Sequence, residues 1–430
     1  MKIEELYTIF LNHPKVTTDS RVALKNGLFF ALKGEQFDGN AYAQKAIENG
    51  CAYAIIDNPD FKKDDQFILV DNVLHTLQQL GNYHRQQLNI PVIGITGSNG
   101  KTTTKELIAS VLSKKYKVSF TKGNLNNHIG VPLTLLSFTQ NTDFGIVEMG
   151  ANHPGEIKDL CTIANPDYGL ITNIGKAHLE GFGSFENVIR TKKELFDYIA
   201  DNKGKIFYNA KDNLLSGIIT DLTVQSVPFG KSSSIVYGSR ESSDIFLKVR
   251  VFIHSKEYLI QTQLIGDYNL DNILAAVTIG NYFKIDDNQI IEAIKNYKPD
   301  NNRSQYLQTG RNNLFLDAYN ANPTSVKAAI SNFEQLKLPK KCLILGDMYE
   351  LGDNALNDHL DIIQLVENKN YDTIILVGEI FSSLKVNKDI FQFENVDFLN
   401  DWLNKNEING SNILIKGSRG NRLERIIEFL

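Results

Sequence analysis

The sequence predicts an α/β protein of three domains. Short apolar runs alternate with helical patterns nearly throughout its 430 residues, as expected of strands covered by helices. At ~150 residues per domain, such a length suggests two or three domains. Pro91 and the polar stretch Lys298–Asn302 (KPDNN) punctuate the pattern. They divide the chain into segments 1–88, 89–298 and 299–430. No internal repeat and no low-complexity tract interrupts them.

The first segment carries strand patterns at Gly27–Leu32, Tyr53–Ile56 and Phe67–Val70, then a helical pattern over 72–88. The middle segment opens on a β-branched run at Val92–Thr96. Strands follow at Phe144–Glu148, Tyr168–Thr172 and Lys205–Tyr208, then a less regular β stretch over 226–264 and a helix over 269–283. In the last segment, strands at Leu314–Asp317, Cys342–Leu345, Thr373–Val377 and Ile413–Ile415 alternate with helices. That alternation predicts a second, smaller Rossmann-like sheet.

Composition excludes several classes. Hydrophobic residues make up 42% and charged residues 22%, the balance of a globular chain. A net charge of −5 lacks the basic field of a nucleic-acid binder. Cys51, Cys161 and Cys342 are odd in number, far apart and outside any CxxC pair, so they read as thiols of a reducing compartment. The segment MKIEELYTIF carries acidic residues and predicts no secretory leader. No apolar run approaches the ~20 residues of a membrane span. The expectation is a cytoplasmic protein.

Residues 94–104 read GITGSNGKTTT, placed between the apolar run at 92–96 and a helical pattern. Glycines let backbone N–H groups close around phosphate oxygens, and a helix N-terminus adds partial positive charge. A lysine there reaches the β/γ-phosphates, and the hydroxyl after it ligates Mg²⁺. The strict spacing asks for glycine at 95, where Ile95 stands, so this is a variant loop. Its nucleotide-binding candidates are Gly97, Ser98, Asn99, Gly100, Lys101, Thr102 and Thr103.

A Mg²⁺–ATP site needs further hard ligands. Glu148 ends a strand, and strand C-termini in open α/β sheets face the ligand crevice. His178 sits in the Gly-rich NIGKAHLEGFGS, where a histidine alone reads as structural. Lys192 stands beside Lys193 and Glu194 and alone reads as part of a solvated charge run. Asn269 and Asn272 share a helix face, and an N-cap explains only one of them. In the last segment Asp317–Pro323, Leu345–Gly352 and Lys416–Arg419 are polar turns at strand ends. Lys416 and Arg419 suit a carboxylate or phosphate.

In this order, over essentially the whole chain, these motifs resemble the Mur ligases, the ATP-dependent amide-forming enzymes of peptidoglycan synthesis. Thr18–Arg21 (TDSR) with Leu28–Gly39 (LFFALKGEQFDG) looks like the family's UDP-binding N-terminal domain. GITGSNGKTTT looks like its ATP loop, in a central P-loop ATPase-type sheet, with a Rossmann-like C-terminal domain after it. The segments GNLNNHIGVPLTLL, EMGANHPGEI, AHLEGFG and LGDMYELG, with KGSRG, are similar to the branch that uses D-alanyl-D-alanine.

The resemblance implies roles. Lys101 binds phosphates and Thr102 takes Mg²⁺. Glu148 and His178 ligate magnesium, and Lys192 matches a carbamylated lysine that supports a second Mg²⁺. Lys101, Lys192 and His178 are the catalytic set. Asn269 and Asn272 contact adenine and help order the site; Arg303 and Asp317 reach the nucleotide from the third domain. Ser20, Arg21 and the loop Gly34–Gly39, with Asp38, hold the UDP moiety. Asn124, Asn126, Asn127, Asn320, Asn322, Asp347, Lys416 and Arg419 are candidates for the peptide substrates. Ala318 departs from the serine common after the aspartate.

The implied reaction is ATP-dependent ligation of D-alanyl-D-alanine to UDP-N-acetylmuramoyl-tripeptide through an acyl phosphate, with ATP and Mg²⁺ as cofactors, by a monomer. Open alternatives are another Mur-type or folylpolyglutamate-type amide ligase, a P-loop NTPase switch or motor, and a non-catalytic nucleotide-binding scaffold.

Overall fold

The computed structural model describes residues 1–242, 245–387 and 389–430. Each of the three segments is built on a parallel sheet. In the first, strands Val16–Thr17, Leu28–Phe30, Tyr53–Ile56 and Phe67–Leu69 lie side by side in chain order. The central sheet has six parallel strands, ordered Gln225–Phe229, Lys205–Asn209, Tyr168–Ile171, Val92–Thr96, Phe144–Glu148, Val118–Phe120. The third sheet also has six, so it is not the smaller one expected. An antiparallel edge strand, Gln305–Gln308, precedes Asn313–Asp317, Asn412–Lys416, Lys341–Gly346, Thr373–Val377 and Ile390–Phe393.

The irregular β stretch resolves into Gln225–Phe229 and an antiparallel meander, Val236–Glu241, Lys248–Ile253 and Lys256–Gln261; residues 243 and 244 lie outside the described residues. Its second turn is the dipeptide His254–Ser255, both at positive φ (47° and 67°) without a glycine. Positive φ at both positions matches the right-handed twist of the flanking strands.

Helices cover both faces of the central sheet. On one face Lys101–Leu112 and Asn269–Tyr282 share a core with Ile93, Ile95 and Ile146. On the other, Glu156–Ala164 and Phe185–Asp201 bury Leu160, Leu195 and Phe196 with Val147. The strands Val92–Thr96 and Phe144–Glu148 are therefore buried at every residue, which is why their apolar runs were legible. Glu148 and the loop that follows Thr96 face the cleft where the strand order reverses.

The first segment is fastened to the second by the helix Val73–Leu88. Asn72 caps it, its side chain accepting the His75 N–H at 2.7 Å. It crosses the helix Gly130–Leu136 so closely that a Cβ on Gly81 would meet Pro132 Cα at 2.9 Å. Buried Arg85 donates to Asp167 Oδ2 at 2.8 Å and Asn165 O at 3.1 Å. Buried His84 donates from Nε2 to Phe138 O at 2.9 Å and accepts the Tyr7 hydroxyl at Nδ1, 3.2 Å away.

Burial holds the His84 pKa below 6.5, outweighing the carbonyl it bonds. The folded chain then binds fewer protons than the unfolded one just below that pH, so stability falls as pH drops there. His84→Gln should flatten this dependence below about pH 6.5, by at most about 1.4 kcal/mol per pH unit. Urea titrations of both proteins across that window measure it; parallel curves would exclude His84 as the cause.

Candidate active site

The loop after Val92–Thr96 is glycine-dependent at two places. Gly97 has φ +144°, and a Cβ there would lie 2.1 Å from Thr172 Oγ1. Gly100 has φ +79° and caps the helix Lys101–Leu112; its Cβ would meet Asn272 Oδ1 at 2.7 Å. The loop rests on 172–175. Ser98 N–H donates to Asn173 O at 3.0 Å, Ser98 Oγ to Gly175 O at 2.9 Å, and Thr172 Oγ1 to Asn99 O at 2.6 Å. The first intrahelical bond is Thr104 N–H to Gly100 O at 2.9 Å, so the N–H groups of Lys101, Thr102 and Thr103 precede the ladder. They form an anion-binding helix end. Lys101 Nζ donates to Gly97 O at 2.7 Å, folded along the loop's rim.

Behind the loop, Glu148 is 2% exposed. Its Oε1 accepts the Thr102 hydroxyl at 3.3 Å and Asn126 Nδ2 at 2.9 Å, while Oε2 has no hydrogen-bond partner. Burial alone would raise its pKa, but Lys105, Lys101 and Arg303 outweigh it and hold the carboxyl below its ordinary range. A buried carboxylate with one oxygen free of hydrogen bonds, beside a hydroxyl, is the oxygen donor set that suits Mg²⁺. Among the described residues no group of three or more His, Cys, Asp and Glu forms a complete metal cage.

The spacing gave no hint of Lys105. It is 1% exposed, with Nζ 3.5 Å from Glu148 Oε2 and 3.8 Å from Glu106. Removing one partner of a buried pair strands the other charge. Lys105→Met should therefore lower the unfolding free energy by about 3 kcal/mol. Urea unfolding measures this, and an unchanged midpoint would mean Lys101 and Arg303 suffice as counter-ions.

Thr104, Asn272, Asn269 and Ser304 form a buried chain of hydrogen bonds. Thr104 Oγ1 donates to Asn272 Oδ1 at 2.9 Å, Asn272 Nδ2 to Asn269 Oδ1 at 2.8 Å, and Asn269 Nδ2 to Ser304 Oγ at 2.9 Å. The two asparagines thus join the phosphate-loop helix to the entry of the third segment. Next to Ser304, Arg303 lays its guanidinium 3.6 Å from the Tyr319 ring centre; Arg419 stands on the same ring at 5.4 Å. Asn322 caps the helix Pro323–Gln335, and its Nδ2 donates to Asn99 Oδ1 at 2.9 Å.

One cavity of about 1070 Å³ runs between the segments. Ser98, Asn99, Gly100, Lys101 and Thr103 line it with Glu148, His178, Asn269 and Asn272. Asn124, Asn126 and Asn127 form part of its wall, and Arg303, Asp317, Asn320, Lys416 and Arg419 enter from the third segment. Tyr268, Tyr319 and Glu350 line it too and were not picked out from the sequence, although two of them stand inside motifs that were.

Other expected residues lie elsewhere. Gly97 and Thr102 sit beneath the surface, and Lys192 lies behind Ala151, with Nζ 3.5 Å from its carbonyl and 5.3 Å from the Phe182 ring centre. Burial, then repulsion from Lys101, pulls the Lys192 pKa down to about 7. Its neighbour Lys193 instead pairs with Asp197 on the partly exposed face. His178 has its ring against the Glu350 carboxylate. Lys416, 1% exposed, donates to Asp317 Oδ2 at 2.7 Å and so fixes that carboxylate.

Asp347 is not among the lining residues. Its carboxylate accepts the Ile380 and Phe381 N–H groups at 2.9 and 3.0 Å, capping the helix Glu379–Ser383. Ser20, Arg21, Gly34, Asp38 and Gly39 belong to the first segment and are not among this cavity's lining residues. There Arg21 pairs with Asp19 at 2.8 Å and Asp38 accepts the Asn40 N–H at 2.9 Å.

Comparison with known proteins finds matches along the whole chain. Three family models match in order: the Mur ligase family catalytic domain over 15–95, the Mur ligase middle domain over 95–280, and the Mur ligase glutamate ligase domain over 302–419. The UDP-N-acetylmuramoyl-tripeptide–D-alanyl-D-alanine ligase of Bacillus subtilis is 35% identical, over 96% of this chain and 92% of that protein. A crystal structure of MurF from Acinetobacter baumannii superposes with a TM-score of 0.86 at 29% identity, covering 99% and 98% of the two chains. MurF ligase from Thermotoga maritima in complex with ADP gives 0.85 at 25% identity, covering 98% and 97%. Sequence and fold thus agree from end to end, and the chain belongs to the Mur ligase family.

Proposed function

We propose that the chain joins the terminal carboxylate of UDP-N-acetylmuramoyl-tripeptide to the amine of D-alanyl-D-alanine, converting ATP to ADP and phosphate. The observation that carries this reading is one cavity walled by the phosphate loop, Glu148, the Asn124–Asn127 turn and the third segment's Arg303 and Asp317. Full-length similarity to ligases named for that reaction favours D-alanyl-D-alanine over the folate-type alternative.

In the first step a carboxylate oxygen attacks the γ-phosphorus, and the bond to the β–γ bridging oxygen breaks, leaving ADP and an acyl phosphate. Lys101 and Arg303 lie where negative charge accumulates, and the helix N-terminus faces it. Asp317, clamped by Lys416, and Asn269 and Asn272 hold the nucleoside. In the second step the amine attacks the acyl carbon, phosphate leaves, and the amine proton passes to solvent or phosphate. Ser20, Arg21, Gly34, Asp38 and Gly39 would hold the UDP moiety; Asn124, Asn126, Asn127, Asn320 and Arg419 face the peptides. Closure of the third domain would keep water from the acyl phosphate.

Thr102 and Glu148, with His178 and a carbamate on Lys192, would hold Mg²⁺, which supplies charge neutralisation for the phosphates when bound. Carbamylation consumes the neutral amine and CO₂ and releases a proton; burial of Lys192 supports it by favouring the neutral amine. In this reading the domains are 1–88, 89–298 and 299–430, and the enzyme works as a cytoplasmic monomer. No described helix is long and apolar enough to cross a membrane.

Phosphate release from ATP, measured with each substrate alone and with both, tests the reading. Release should require both, with a UDP-MurNAc-pentapeptide product by mass. Release indifferent to both would replace the ligase with an NTPase, and nucleotide binding without ligation would leave a scaffold.

A further inference from the structure

Glu350 has no role in the reaction just described, yet its surroundings are unusual. It stands at φ +63°, in the left-handed region where a glutamate is strained. Facing it across the boundary between segments is His178, itself at φ +53°. The Glu350 carboxylate pairs with His178 Nδ1. The Glu350 carbonyl accepts the Glu180 N–H at 3.4 Å. Two residues on, Gly352 has φ +61°, and a Cβ there would meet Glu180 Cα at 3.2 Å. Strained residues meeting at a domain boundary persist only where the surroundings over-determine them.

Those surroundings are visible. Asp347 caps the helix Glu379–Ser383, and buried His359 accepts the Met348 N–H at Nε2, 3.0 Å away. Met348 and Leu351 are buried in the third segment's core. The turn that carries Glu350 is therefore pinned from behind and presents one carboxylate to the central segment.

We propose that Glu350 is a positioning residue for His178. Docking of the third segment delivers the carboxylate that occupies Nδ1, fixes the ring's orientation and leaves Nε2 as the metal-binding nitrogen. A histidine ligand whose second nitrogen is held by a carboxylate is better oriented and more basic. The cation site would then be completed only when the third segment is docked, so the nucleotide is not activated in an open, wet cleft. This inference rests on the ligase reading and on His178 as a cation ligand.

The test uses Mn²⁺ as probe, titrated by electron paramagnetic resonance into the full-length protein with a non-hydrolysable ATP analogue. Glu350→Ala should weaken Mn²⁺ binding by about 10–100-fold, as loss of an outer partner does. Glu350→Gln keeps a neutral acceptor of similar size and should restore most of the affinity. In a His178→Ala background, Glu350→Ala should cost nothing further. Ligation should lose kcat with KM for D-alanyl-D-alanine unchanged. Unchanged Mn²⁺ affinity in Glu350→Ala or in His178→Ala, or an equal loss with and without His178, would overturn the proposal. Urea midpoints for each variant separate misfolding from mispositioning. Failure of the wild type to form pentapeptide would sink the ligase reading instead, and leaves the Mn²⁺ comparison readable.

Discussion

Lys192→Met should lower ligation by about 10²–10³-fold, the scale of losing one group that stabilises developing charge, with no loss of stability. Lys192 is 2% exposed, and its Nζ meets a backbone carbonyl, Ala151 O, at 3.5 Å. A buried ammonium without a paired anion is costly: burial and Lys101 draw its pKa down to about 7 against the opposing pull of Glu156 and Glu194. Methionine fills nearly the same volume and removes that cost, so the urea midpoint should hold or rise. A residue kept only for packing would tolerate the change in activity too. Wild-type enzyme depleted of CO₂ should regain turnover on adding bicarbonate, and the methionine variant should not, because it offers no amine. Full activity of Lys192→Met would remove this residue from the mechanism.

The strands most plainly legible in the sequence are buried on both faces. Val92–Thr96, Phe144–Glu148 and Thr373–Val377 appear at the expected residues because each is a continuous apolar run. The edge strands Val118–Phe120 and Ile390–Phe393 were missed; they are short, half-buried and flanked by polar residues, so no run stands out. Gln305–Gln308 was missed because it pairs antiparallel on a sheet otherwise parallel.

Side-chain roles followed the same logic. The phosphate loop is a local device, complete within residues 97–103, and could be read from spacing alone. Asp347 looked like a ligand because it follows a strand, but its partners at 380 and 381 are distant in sequence. Lys416 looked like an anion receptor; the parallel register that sets it beside Asp317 is a tertiary fact. Lys105 and Glu350 act through partners in other elements, and their neighbours in sequence carry no trace of it.

Lys101→Ala is the variant in which nucleotide binding and turnover should separate most clearly. The N–H groups of residues 101–103 are backbone, so the mutation leaves the anion-binding helix end in place. ATP affinity should fall by about tenfold, one charge-assisted contact's worth. Turnover should fall by about 10³-fold or more, because the lysine must leave Gly97 O and meet charge that develops only during phosphoryl transfer. Burial foremost, and then Arg303, lowers the pKa of this amine while Glu148 opposes them. Its removal relieves repulsion from Arg303 and from Lys192 and takes one counter-ion from Glu148, which Lys105 and Arg303 still hold, so the urea midpoint should shift little. Lys101→Arg should not rescue, since a planar fork cannot lie along the loop where a point charge does. Equilibrium binding of an ATP analogue alongside single-turnover phosphate release decides between the roles. Equal losses in both would make Lys101 a ground-state binding group, and the charge stabilisation would then fall to Arg303 and the helix end alone.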